Sequence, residues 1–243
     1  MSDIQPEPAQ TTTLGPDRRK RRLPTAVAIL GVVVVVAVAG TAAAEIYYRH
    51  RVEGCVAAQT EQQLGDDVSV GFGLRPLLLT RLDNRIPTLT VDTDNAHFGP
   101  AINMTVHARL NDIHLQDSGR TANIGSTSAE AIWSDQAIAQ TLHGLASDVT
   151  SNSGTGTVSM TVLGGLAHFE VRPQVVDHTI QIDTVSSRGL PSGLVDQIMG
   201  VLTQSLQTLP LDTKADSLTV TNTGITVQLS GGQTTLHGSG DSC

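Results

Sequence analysis

The chain has 243 residues, 15 basic and 23 acidic, and a net charge of −8 at pH 7. Five of the basic and three of the acidic residues precede Thr25, which leaves ten against twenty beyond it; so acidic a body excludes a nucleic-acid binder, whose contacts must neutralise phosphates. Aromatic residues are 2% of the total, which excludes a partner surface built on Tyr and Trp anchors and calls for an aliphatic core.

Residues 1–24 are polar and rich in Pro and Thr, and close on the basic run Arg18-Arg19-Lys20-Arg21-Arg22. Together they read as a basic cytoplasmic tail, with residues 1–17 disordered. Residues 25–46 follow as a transmembrane anchor: from Thr25 to Ala44 there is no charge, over the length a helix needs to cross a bilayer core. Clustered Lys and Arg stay on the cytoplasmic side, and Tyr47 and Tyr48 suit the interface. The expected protein therefore crosses the plasma membrane once, with residues 47–243 outside. Ala42-x-Ala44 keeps signal-peptide cleavage open, although the apolar run is longer than such a leader needs. Lipidation at Cys55 is disfavoured by Glu53 and by the distance from the apolar run.

The exported part, roughly 195 residues, suits one domain with one core. Its two cysteines, Cys55 and Cys243, stand at its two ends. A disulfide between them fits an oxidising compartment, and closing so long a loop is worth about 4–5 kcal/mol in the chain-entropy model. The alternative is a buried Cys55 and a frayed terminal thiol. Two cysteines so far apart make no metal site.

Past the anchor, Arg49 to Gly65 carries Val52, Cys55, Val56, Ala57 and Leu64 on helical spacing. The period then falls to two at Val68, Val70 and Phe72, a short strand. Pro76 to Leu82 is an apolar helical turn with Pro at its start. Ile86, Leu89 and Val91 lead into a strand. From Ile102 to Leu110 the even positions are apolar, but after Asn111-Asp112 the set moves to Ile113 and Leu115, which predicts a bulge that bends the strand. A strand over Ser126–Trp133 comes before Ser134, which has the character of an N-cap for a helix through Leu142, stopped at Gly144. Residues 147–157 read as a Ser/Gly/Thr loop. Alternation at 158–162, 167–171 and 178–185 predicts a strand meander. The strongest helix is Pro191 to Leu209, about 28 Å long, with Leu194, Ile198, Leu202, Leu206 and Leu209 in one stripe. Strands at Ser217–Thr221 and Ile225–Leu229 turn at Asn222-Thr223-Gly224, and a polar Gly-rich tail begins at Gly231.

Strands grouped in meanders, with two amphipathic helices, give an α+β fold: long curved antiparallel strands wrapped around the long helix.

No catalytic signature emerges. His168, Glu170 and Arg172 alternate with Ala167, Phe169 and Val171 and read as the solvent side of a strand, as do His107 and Arg109. No His pair has metal-ligand spacing, so neither a metal nor a cofactor is expected. Ser192 in Gly189-Leu190-Pro191-Ser192-Gly193 is not placed as in a nucleophile elbow. One cluster stands out. Arg75, Arg81 and Arg85 flank Leu77, Leu78 and Leu79, with Asp83 among them. Arginine beside exposed aliphatic surface is what an anionic lipid head group with its acyl chain requires. The competing reading is a short helix with leucines packed inward and arginines in ordinary ion pairs.

The run Val68-x-Val70-Gly71-Phe72-Gly73-Leu74-Arg75-Pro76-Leu77-Leu78-Leu79, then Ile86-Pro87-x-Leu89-x-Val91 and the Gly224 turn, resembles the LmeA-like group of actinobacterial envelope proteins. The resemblance implies a fold related to tubular lipid-binding domains. It also implies binding of acidic phospholipids, phosphoinositides among them, and a role in envelope lipid or lipoglycan homeostasis. Arg75, Arg81 and Arg85 are the expected head-group contacts, and Leu77, Leu78, Leu79, Leu194, Ile198 and Leu202 the expected apolar groove. A lipid hydrolase using the same groove, or a scaffold for envelope-synthesis enzymes, are the alternatives.

Overall fold

A computed structural model describes residues 38–54, 68–73, 75–116, 121–207, 209 and 212–237, without the side chains of Leu78, Arg81, Leu82 and His237. The chain divides into two units, Met1–Ala43 and Ala44–Cys243. In the first, residues 38–43 are helical. Most of the expected anchor, and both Cys55 and Cys243 of the expected disulfide, lie outside the described residues. Among the described residues no helix is long and apolar enough to cross a membrane.

The second unit opens with helix α1, residues 44–54. It continues through β1 (Val68–Phe72), α2 (Leu77–Asp83), β2 (Arg85–Phe98), β3 (Ala101–Gln116), β4 (Thr121–Ile124) and β5 (Ser126–Ser134). Helix α3 (Asp135–Thr141) separates these strands from a meander of β6 (Ala146–Asn152), β7 (Thr157–Val162), β8 (Ala167–Val176) and β9 (Thr179–Arg188). Helix α4 (Ser192–Gln207) then leads to β10 (Lys214–Val220), β11 (Gly224–Gly231) and β12 (Thr234–His237). The fold is α+β and mostly antiparallel sheet. An eight-stranded sheet runs β1-β2-β3-β5-β11-β10, with β4 pairing both β3 and β12, and a four-stranded sheet runs β6-β7-β8-β9.

Alternation places the side chains. In β7 and β8, Val158, Met160, Val162, Phe169 and Val171 are buried while His168 and Arg172 are exposed. These residues, the matching faces of β3, β5 and β11, and one side each of α3 and α4 form the main core. A second cluster joins Val68, Val70, Phe72 and Leu77, with Tyr48 and Val52 of α1 packed on it.

The parity change in β3 has a physical cause. It is not the expected bulge: pairing with β2 keeps one register from Asn111 to Ile113, and the register shifts of that ladder fall between Thr93 and Phe98 of β2. Asp112 instead takes φ +57°, opposite Pro87, which has no N–H to give. Gly125, opposite, donates to the carbonyls of Asn111 and Asp112 at 3.1 and 3.2 Å, and a Cβ there would lie 2.9 Å from the Asp112 side chain. At the start of α3, Ser134 Oγ accepts from the Ala137 N–H at 3.2 Å, the expected cap.

Two further expectations are corrected. Residues 147–152 of the expected loop are strand β6: Asp135 holds Ser151 through its backbone N–H and its hydroxyl, so a polar segment is fixed by a partner 16 residues away. The tail beyond Gly231 contains β12, because the exposed side of β4 offers a ladder to a sequence with no apolar alternation of its own.

Candidate functional site

Helix α2 starts at Leu77 because Pro76 fixes its own φ and lacks an N–H, yet Pro76 has no side-chain oxygen to cap the turn. Glu45 of α1 supplies one, its Oε1 accepting from the Leu77 N–H at 2.5 Å. One turn along, Arg49 donates to the carbonyls of Phe72, Gly73 and Arg75 at 3.1, 3.0 and 3.2 Å. These two residues lock α1 onto the segment between β1 and α2. The i,i+4 spacing of Glu45 and Arg49 is a legible helix-face signal, but their common target is not.

Around α2, Arg75 pairs with Asp83 and also donates to the Arg85 carbonyl at 3.3 Å. Arg85 pairs with Asp112 of β3. Arg75 and Arg85 are thus brought together, each with a carboxylate of its own, and Asp112 is a partner that local sequence could not name. The Arg75 guanidinium beside Asp83 holds that carboxyl below its ordinary value, chiefly through the side-chain hydrogen bond. Leu77 is buried and Leu79 is 41% exposed. The side chains of Leu78 and Arg81 lie outside those described.

The remaining expected groove residues sit elsewhere. Ile198 and Leu202 are buried in the main core, with Leu194 packed against it, in a cluster separate from that of Leu77. Beside them a half-open crevice lies between α4 and the sheets. Phe98, Met104, Ala131, Ile180, Val227 and Leu229 line it from the strands. Ser205, Leu206 and Leu209 close it from the other side. It holds about 20 Å³, room for a single water molecule. A larger depression of about 460 Å³ lies along α4 at Met199, Gly200, Thr203, Gln204 and Gln207. That depression is open to solvent and lined by one helix, so it lacks the second wall that desolvates a ligand; the half-open apolar crevice has helix on one side and strands on the other and is the better candidate.

Four buried polar side-chain atoms have no hydrogen-bond partner among the described residues: Asn95 Oδ1, Thr127 Oγ1, Trp133 Nε1 and Ser205 Oγ. Thr127 and Trp133 share the β5 face of Ala131, and Ser205 is on the crevice itself. Ser205 was legible as a polar residue at a core-facing position of the α4 stripe, three residues after Leu202. Among the described residues no group of three or more His, Cys, Asp or Glu is placed to hold a metal ion.

A family model, LmeA-like phospholipid-binding, matches residues 39–230. The chain belongs to the LmeA-like phospholipid-binding family. It is also similar to uncharacterized proteins of Mycobacterium tuberculosis and Mycobacterium bovis, 27% identical over 240 residues, which cover 92% of this chain and 68% of the relatives. No solved structure matches. The stretch matched by the LmeA-like model takes in both the α2 cluster and the α4 crevice.

Proposed function

We propose that this LmeA-like protein binds phospholipid at the outer face of the plasma membrane, with an acyl chain seated between α4 and the eight-stranded sheet. The observation that carries this reading is the α4 crevice: half-open, apolar, walled by helix and sheets, and inside a chain of a phospholipid-binding family. The crevice is far smaller than an acyl chain, so binding displaces α4 outward, and the larger sheet curves around the helix to receive the chain. The uncharged segment from Thr25 and the basic run before it support a single anchor with the N-terminus in the cytoplasm. Cys55 and Cys243 form a disulfide in that compartment.

Arg85 and Phe98 stand at opposite ends of β2, roughly 40 Å apart along the strand. The acidic head group held by Arg75, Arg81 and Arg85 in this proposal, phosphoinositides included, therefore belongs to a second lipid at the membrane surface and not to the molecule in the crevice. It exchanges with the carboxylates of Asp83 and Asp112, which now hold two of those arginines. Exposed pairs of this kind contribute about 0–1 kcal/mol, so a bidentate phosphate contact displaces them readily. The role is lipid transfer or retention in envelope lipid or lipoglycan homeostasis.

Trp133, the single tryptophan, tests the acyl site. It is two residues from Ala131 on the same strand face, roughly 7 Å along β5. Phospholipid brominated along its chains, added to the full chain in detergent, should quench Trp133. An anchor that merely gathers lipid leaves this buried residue unquenched, and that result overturns the proposal.

A further inference from the structure

Ser205 is 2% exposed. A serine buried in a helix ordinarily hides its hydroxyl on the carbonyl four residues back. Thr141, the corresponding case in α3, does this, donating to the Ala137 carbonyl at 2.8 Å. Ser205 does not, and its Oγ has no partner among the described residues. Its neighbours around the crevice offer only apolar side chains: Phe98, Met104, Ile180 and Leu206 among them. A trapped water needs two to four polar partners, and the lining side chains supply one. An ionised group is excluded as well, because no cationic side chain lines the space to offset its desolvation.

The group that satisfies such a hydroxyl is an uncharged acceptor attached to hydrocarbon. We propose that Ser205 donates its hydroxyl proton to an acyl-ester carbonyl oxygen of the bound lipid, so that the crevice distinguishes ester-linked from ether-linked chains. This rests on the phospholipid-binding reading and adds to it the linkage chemistry. It sets the depth of the lipid too, with the ester at the level of Ser205 and the chain beyond it among the strand side chains.

The test uses the full chain in detergent, with brominated diacyl phosphatidylcholine as the probe and Trp133 fluorescence as the readout. Unlabelled diacyl and dialkyl-ether phosphatidylcholine of equal chain length compete for the site. The neutral head group is the same in both, which keeps the arginines around α2 out of the comparison. The parent should bind the diacyl lipid roughly two- to tenfold more tightly, the range of one hydrogen bond. Ser205→Ala should bind both equally, at the parent's level for the ether lipid. Without lipid this variant should melt no lower than the parent, since it loses an unpaired buried hydroxyl. A lower melting point, equal binding of both lipids by the parent, or a preference retained in Ser205→Ala overturns the role of Ser205 and leaves lipid binding standing. Failure of the brominated lipid to quench Trp133 in the parent overturns lipid binding in the crevice, and this proposal with it.

Discussion

Leu206→Ala probes the crevice most directly, because Leu206 is 3% exposed and forms part of its wall. The substitution removes three carbons from the core, about 2.4 kcal/mol at about 0.8 kcal/mol per buried CH₂. It also opens roughly 80 Å³ beside the existing crevice. At about 24 cal/mol per Å³ that added void, uncollapsed, costs a further 1.9 kcal/mol or so. The expected loss is therefore about 2.5 kcal/mol if α4 settles inward and about 4.5 kcal/mol if it does not. Urea unfolding followed at Trp133 measures it, since that residue reports on the main core. An acyl chain that occupies the crevice fills the new void, so saturating phospholipid should return more stability to the variant than to the parent, where ligand at a hundredfold over Kd contributes about 2.7 kcal/mol. Brominated lipid should also quench Trp133 faster in the variant, because less of α4 has to be displaced. A loss of stability in the expected range, with no excess recovery by lipid and no faster quenching, would show that the crevice is packing alone.

Replacing Arg75, Arg81 and Arg85 with Gln together should weaken binding to acidic vesicles at low salt and leave uptake of neutral lipid nearly unchanged; equal binding by variant and parent rules out the head-group site. The same variant should keep its melting temperature within a few degrees, as exposed ion pairs contribute little. Asp83 should titrate lower in the parent than in Arg75→Gln, followed by NMR of its carboxyl carbon. Because its pKa is lowered in the folded state, its stabilising contribution is present above the ordinary value of 3.8 and is lost as pH falls through the lowered one. Arg49→Gln should speed hydrogen exchange at the amides of Val70, Phe72 and Leu77 while leaving those of β7 and β8 protected, since its three carbonyl contacts hold only the second cluster. A uniform change across both clusters would refute that division.

Sequence by itself determined the parts of this protein whose cause is local. The alternation of β7 and β8, the cap at Ser134, the stripe of α4 and the change of parity at Asn111-Asp112 all come from residues within one or two turns of each other, and each is where the spacing puts it. Leu194, Ile198 and Leu202 were legible as core-facing for the same reason. Tertiary structure alone decided what depends on partners distant in the chain. Ser151 became strand because Asp135 reaches it, and β12 formed because β4 had an open edge. Leu77 went to a cluster closed by α1, apart from the one that holds the α4 leucines, through contacts spanning more than twenty residues. Asp112 came to Arg85 by the pairing of β2 with β3. The crevice is the furthest of these from the sequence: its walls come from β2, β3, β5, β9, β11 and α4, and the unpaired hydroxyl of Ser205 has meaning only once those six are packed around it.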